Sequence, residues 1–104
     1  MGLDVLGGHL LTRNILERMS KLFYVYIVKC SDSTFYTGYT VDLNRRLETH
    51  NKGLGAKYTR GRRPVELVYQ EICISKSEAI KREIDLKKMS RFEKLDLIKK
   101  INKV

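Results

Sequence analysis

No apolar run in this chain approaches the roughly 18 residues that a membrane-spanning helix needs, so no membrane partner is expected. Cysteine is scarce: Cys30 and Cys73 stand apart and form no Cys-x-x-Cys pair. That spacing argues against a zinc site. Each cysteine sits in a strand-like run, where a buried free thiol is common, and a reducing cytoplasmic location fits best. The single proline, Pro64, and the lack of low-complexity segments or repeats leave no linker to divide the 104 residues. One domain with one modest core is the expectation. Acid is the other shortage, with 12 Asp and Glu against 21 Lys and Arg.

The resulting net charge of +9 is unevenly placed. Residues 1–18 hold Arg13 and Arg18 against Asp4 and Glu17, so the whole excess falls further along the chain. A basic domain attracts polyanions, and nucleic acid is the expected partner. Met19-Ser20-Lys21 reads as a second start. Residues 1–19 are therefore expected to be a leader or extension outside the core, and residues 20–104 a single domain.

Leu22 to Cys30 is rich in β-branched and aromatic residues and predicts a strand. Ser31-Asp32-Ser33 supplies turn chemistry, and Thr34 to Thr40 returns as the second strand of a hairpin. Thr40 or Asp42 can cap a helix reaching about Lys52. Lys52 to Arg63 predicts a basic, glycine-containing loop, and Val65 to Ile74 a third strand. Ser75-x-x-Glu78 and Ser90-x-x-Glu93 are capping-box patterns, each opening a helix. In the last helix Phe92, Leu95, Ile98 and Ile101 are expected on one face. The order β-β-α-β-α-α predicts an α/β (α+β) fold, a small three-stranded, mainly antiparallel sheet flanked by helices.

Polar residues that break the apolar pattern mark the candidate site. Leu43, Arg46, Leu47 and His50 share one helix face, so Arg46 and His50 lie on or beside the packed stripe. A buried arginine is costly unless paired. It suits a phosphate held bidentately, and a structural ion pair or a snorkelling side chain is the plainer alternative. His50 read alone is equally a satisfied core histidine. Glu83 sits among Ala79, Ile80, Ile84 and Leu86, where it can ligate a hard cation or pair with a lysine. Strand alternation places Tyr24, Tyr26 and Val28 on one face, and Tyr36, Gly38 and Thr40 on another. Gly38 within a strand marks a close approach to the backbone. Tyr39 and Tyr69 read as ordinary strand aromatics with hydroxyls at the rim.

Taken in order, these residues resemble the GIY-YIG nuclease family. Tyr24-Val25-Tyr26 corresponds to the first motif and Tyr36-Thr37-Gly38 to the second, followed by Arg46, His50 and Glu83. The resemblance spans about residues 22 to 90. Gly55-Ala56-Lys57-Tyr58-Thr59 and Arg63-Pro64-Val65 resemble the small single-domain bacterial branch, and the core also resembles the nuclease domain of flap and junction endonucleases. Tyr24 stands in place of the first glycine and Thr37 in place of the isoleucine, both outside the catalytic set.

The resemblance implies a metal-dependent endonuclease, a hydrolase acting on phosphodiester bonds. DNA, branched or structured and met in repair or recombination, is the favoured substrate. The implied catalytic set is Tyr26, Tyr36, Arg46, His50 and Glu83. Glu83 would hold one Mg²⁺ or Mn²⁺, Arg46 the phosphate, and Tyr26 would act as general base. A free tyrosine has a pKa near ~10, so activation at neutral pH asks for about 4 kcal/mol. His50, ordinarily near ~6.5, is the rival base. Lys52, Lys57, Tyr58, Arg60, Arg62 and Arg63 are the candidate nucleic-acid contacts, with Gly53, Gly55 and Gly61 allowing close backbone approach to phosphate and Tyr58 able to stack on a base. A flexible solvated loop is the plain alternative for that segment. A non-catalytic nucleic-acid-binding module is the alternative for the whole protein.

Overall fold

The computed structural model describes residues 21–102. The reading of residues 1–19 as a leader therefore lies outside the described residues. Three strands and four helices follow in the order β1 (Phe23–Lys29), β2 (Phe35–Thr40), α1 (Leu43–Asn51), α2 (Lys57–Arg60), β3 (Glu66–Cys73), α3 (Lys76–Lys87) and α4 (Arg91–Asn102). The sheet is antiparallel with β1 in the centre, in the order β2-β1-β3.

The hairpin forms where turn residues interrupt two β-rich runs. The Asp32 carboxylate accepts from the Thr34 backbone N–H and hydroxyl, at 3.1 and 2.6 Å. Ser33 takes a positive φ of 67° between them. Asp42 caps α1 by accepting from the Arg45 N–H, and Ser75 caps α3 in the same way through Glu78. At α4 the capping box closes reciprocally: Ser90 Oγ accepts from the Glu93 N–H, and the Glu93 carboxylate accepts from the Ser90 N–H. That pairing holds the Glu93 carboxyl below its ordinary pKa.

β1 is buried on both faces, which accounts for its unbroken apolar and aromatic run. Val25 and Ile27 pack with Tyr69, Cys73, Ala79 and Leu86. Tyr26, Val28 and Cys30 pack with Val65 on the opposite side, where Leu43 and Leu47 of α1 close over them. An irregularity in the β1–β3 register lets both Val68 and Tyr69 reach the first cluster. Both cysteines are buried and free. None of the described helices is long and apolar enough to cross a membrane.

Two expectations need correction. The segment Lys52 to Arg63 is not loop throughout, because Lys57–Arg60 forms one helical turn. The α4 stripe is also different. Ile98 packs on the core with Met89 and Leu97, whereas Phe92 is 80 % exposed and Leu95 and Ile101 also face solvent. A strict three-residue repeat drifts around a helix of 3.6 residues per turn, so Phe92 and Ile101 end about 180° apart.

Candidate active site

Tyr26 comes from the central strand and lies directly across from Gly38 of β2. Its ring crosses that glycine so closely that a Cβ there would stand 2.6 Å from the phenol oxygen. The close approach expected at Gly38 is therefore made by Tyr26. α1 supplies Arg46 and His50, one turn apart on the side facing β1. The Arg46 Nε–H donates to the Tyr26 hydroxyl oxygen at 3.3 Å. The other neighbour of that oxygen is His50 Nε2, 2.8 Å away.

His50 has no exposed surface. Its Nδ1 lies 2.9 Å from the hydroxyl of Thr59, a buried residue of α2. A Cβ at residue 55 would fall 2.4 Å from Nδ1, so only glycine lets the chain pass the imidazole there. Gly55 thus accommodates His50, Gly53 carries the Arg63 guanidinium, and Gly61 alone faces open space. Tyr36 meets the His50 ring edge-on with centroids 5.4 Å apart, and Tyr58 stacks on Tyr36 at 6.0 Å.

Burial dominates the electrostatics. It pushes the Tyr26 phenol above its ordinary pKa, against the lowering effect of the Arg46 hydrogen bond. The nearby Glu83 carboxylate adds the weakest of the upward pushes. Burial, followed by the charge of Arg46, lowers His50 to about 4, so the imidazole is neutral at pH 7. Arg46 is held still more firmly as a cation by its bond to Tyr26. No carboxylate pairs with Arg46 among the described residues, which removes the structural ion pair as its explanation.

Glu83, on α3, is 18 % exposed and lies 3.4 Å from Lys87 one turn along. No group of three or more His, Cys, Asp or Glu gathers among the described residues. The donor set is one carboxylate. Such a donor would suit a hard cation that keeps most of its own water.

The basic segment divides into two groups. Arg62 bonds to Asp32 at 3.0 Å and to the Tyr58 carbonyl at 2.7 Å, with its guanidinium 3.9 Å over the Tyr58 ring. Arg63 donates to the carbonyls of Arg60 and Asn51. These two arginines pin the segment to the hairpin turn and to α1. Lys52, Lys57 and Arg60 are exposed, and no ion pair engages them among the described residues. Tyr36 and Arg62 already occupy the ring of Tyr58, so a nucleobase must compete with them there.

A model of the GIY-YIG catalytic domain matches residues 22–96. The chain belongs to the GIY-YIG family. It is 62 % identical over 76 residues to the UPF0213 protein of Staphylococcus aureus strain Mu3, covering 73 % of this chain and 93 % of the relative. The solution structure of the UPF0213 protein BH0048 from Bacillus halodurans is 47 % identical, with a TM-score of 0.50 over 75 % of this chain and 83 % of that one. The solution structure of EF2693 from E. faecalis is 41 % identical, with a TM-score of 0.56 over 81 % and 90 %. These relatives share the small GIY-YIG core, and their names state no activity.

Within that core the fold joins Tyr26, Tyr36, Arg46 and His50 into one contact cluster, and Glu83 is linked to it only through the effect of its charge on Tyr26. The roles of Thr59 and Gly55 were not legible in the sequence, although both lie in the Gly55–Thr59 motif. Thr59 follows no apolar spacing that would single it out, and Gly55 reads as a loop glycine until His50 is placed beside it.

Proposed function

We propose that this protein is a divalent-metal-dependent endonuclease that hydrolyses phosphodiester bonds in nucleic acid, with DNA the favoured substrate. The observation that carries this reading is the chain of contacts from the Arg46 guanidinium through the Tyr26 hydroxyl to His50. A cation beside a phenol, backed by a buried neutral imidazole, suits the binding of phosphate and the activation of water.

Tyr26 and His50, rival bases in the sequence, act here in succession. An attacking water gives its proton to the Tyr26 oxygen as the Tyr26 proton passes to His50 Nε2. The water oxygen bonds to phosphorus and the bond to the leaving oxygen breaks, that oxygen taking a proton from solvent. Arg46 holds a phosphate oxygen throughout, and Tyr36 positions the water or the phosphate. Burial is the main cause of the lowered His50 pKa; substrate bound at Arg46 offsets only the lesser part that comes from that arginine's charge. Glu83 would hold Mg²⁺ or Mn²⁺, and the ion would supply charge to offset that developing on the phosphoryl group. Exposed Lys52, Lys57 and Arg60 contact the backbone of the nucleic acid. Arg62 and Arg63 hold the segment in place and add their charge to the same surface. Two unpaired thiols suit a reducing cytoplasm.

The test is a panel of single-stranded, double-stranded, nicked and branched nucleic acids with Mg²⁺ or Mn²⁺. The expected result is cleavage of at least one substrate, abolished by chelator and by Glu83→Ala. Salt-sensitive binding without cleavage of any substrate would identify a binding module instead.

A further inference from the structure

The direction of each hydrogen bond around His50 follows from one atom that can only accept. Thr59 Oγ1 lies 2.9 Å from the Ala56 carbonyl oxygen. The Thr59 hydroxyl donates to that carbonyl, which has no proton to give; were it to donate to Nδ1 instead, Nε2–H would point at Tyr26 and the Tyr26 hydroxyl hydrogen would meet no acceptor among the described residues. The Thr59 oxygen, 2.9 Å from His50 Nδ1, is then left as an acceptor, so Nδ1 carries the imidazole proton. A neutral imidazole has one N–H. Nε2 is therefore bare and accepts from the Tyr26 hydroxyl at 2.8 Å. The Tyr26 oxygen keeps a lone pair for the Arg46 Nε–H. Every donor meets an acceptor only in this sense of the chain.

We infer that Thr59 is a positioning residue that fixes His50 in the Nδ1–H tautomer and so reserves Nε2 as the proton acceptor for Tyr26. Thr59 itself has no exposed surface, which shields the bond to His50 from competing water. Gly55 passes the same edge of the ring, where a Cβ would stand 2.4 Å from Nδ1. α2 is thus part of the site through a hydroxyl that has no exposed surface. The catalytic meaning of this tautomer rests on the nuclease reading above; the tautomer itself does not.

The test begins with ¹⁵N NMR of the histidine side chains at pH 7, which distinguishes a protonated from a bare ring nitrogen. The expected pattern for His50 is a protonated Nδ1 and a bare Nε2. Thr59→Val keeps the shape of the side chain but removes the hydroxyl, and is expected to shift His50 toward the Nε2–H form or a mixture. Cleavage should then fall about 10–100-fold in kcat, the range for loss of a group that orients a histidine. Binding of an oligonucleotide and its KM should stay the same. Thr59→Ser should restore both the tautomer and the rate. A wild-type His50 with bare Nδ1, or a charged one, would overturn the inference even if the valine variant failed to fold. So would an unchanged tautomer in folded Thr59→Val. The expected tautomers in a protein that cuts nothing would leave the Thr59 assignment standing and remove the nuclease reading alone.

Discussion

The two faces of the sheet are made by alternate residues of the same strands, yet they are built on different rules. On the face covered by α3, Val25, Ile27, Ala79 and Leu86 are completely buried and apolar. Apart from the buried Thr37 hydroxyl, the polar groups of that side sit at its rim, where Tyr69 donates to Glu71 and Arg82 pairs with the same carboxylate at 2.8 Å. That cluster satisfies itself, with the Tyr69 phenol pushed up to about 12 by burial and by Glu71. On the face covered by α1, the polar groups go inside. Tyr26, His50 and Thr59 are buried and linked in series, and the series ends at the partly buried Arg46, which meets no anion among the described residues. A buried polar chain is tolerated when every member is satisfied. One that ends in an unpaired cation indicates a partner from outside.

The largest contrast expected between the faces is in catalysis. Tyr26→Phe should lower the cleavage rate about 10²–10⁴-fold, the usual contribution of a positioned general base. It should also cost about 1–3 kcal/mol of stability by stranding the bare His50 nitrogen. Single-turnover cleavage with saturating metal, beside urea denaturation, measures both. A variant that keeps most of its rate would end the assignment of Tyr26. Leu86→Ala, on the other face, should cost about 2–5 kcal/mol of stability and leave the cleavage rate of the folded fraction unchanged.

pH should separate the faces next. His50 in the native state is lowered to about 4 from an unfolded value of 6.5, so the unfolded chain takes up its proton first as pH falls. Stability from this group is complete above pH 6.5 and is lost progressively between there and about 4, with about 2 kcal/mol gone by pH 5. His50→Gln should flatten that part of the profile in denaturation experiments at pH 7 and pH 5. Cleavage should likewise fail toward pH 4, with no step near 6.5.

The smallest effect concerns the apolar face. Thr37, paired across from Ile27, has a buried hydroxyl oxygen without a hydrogen-bond partner among the described residues. Thr37→Val should raise stability by about 1 kcal/mol, since it removes a desolvated group and keeps the shape. A fall in the melting temperature would show that the hydroxyl has a partner, such as a bound water.

Much of this architecture is readable along the chain. Ser75-x-x-Glu78 and Ser90-x-x-Glu93 mark two helix starts because a cap is a contact between residues three apart. Arg46 and His50 announce themselves by interrupting an apolar stripe, and Glu83 does the same on α3. The α4 stripe misled because a three-residue repeat drifts around the helix and leaves Phe92 and Ile101 on opposite sides of it; which side of a helix is covered depends on where the helix docks.

Local periodicity and composition, then, determined the order of the elements, the basic surface and the residues that would not fit an apolar core, because each is a property of neighbours in sequence. The tertiary structure alone decided how those residues act on one another. Tyr26 meets His50 across 24 positions and Arg46 across 20, and the sense of the hydrogen bonds through them depends on Thr59 and the Ala56 carbonyl. Arg62 and Arg63 read like their neighbours Lys57 and Arg60 until Asp32 and the carbonyls of Tyr58, Arg60 and Asn51 are brought to them. A side chain's type states which bonds it can make; only the packing of distant segments supplies the partner and removes the competing water.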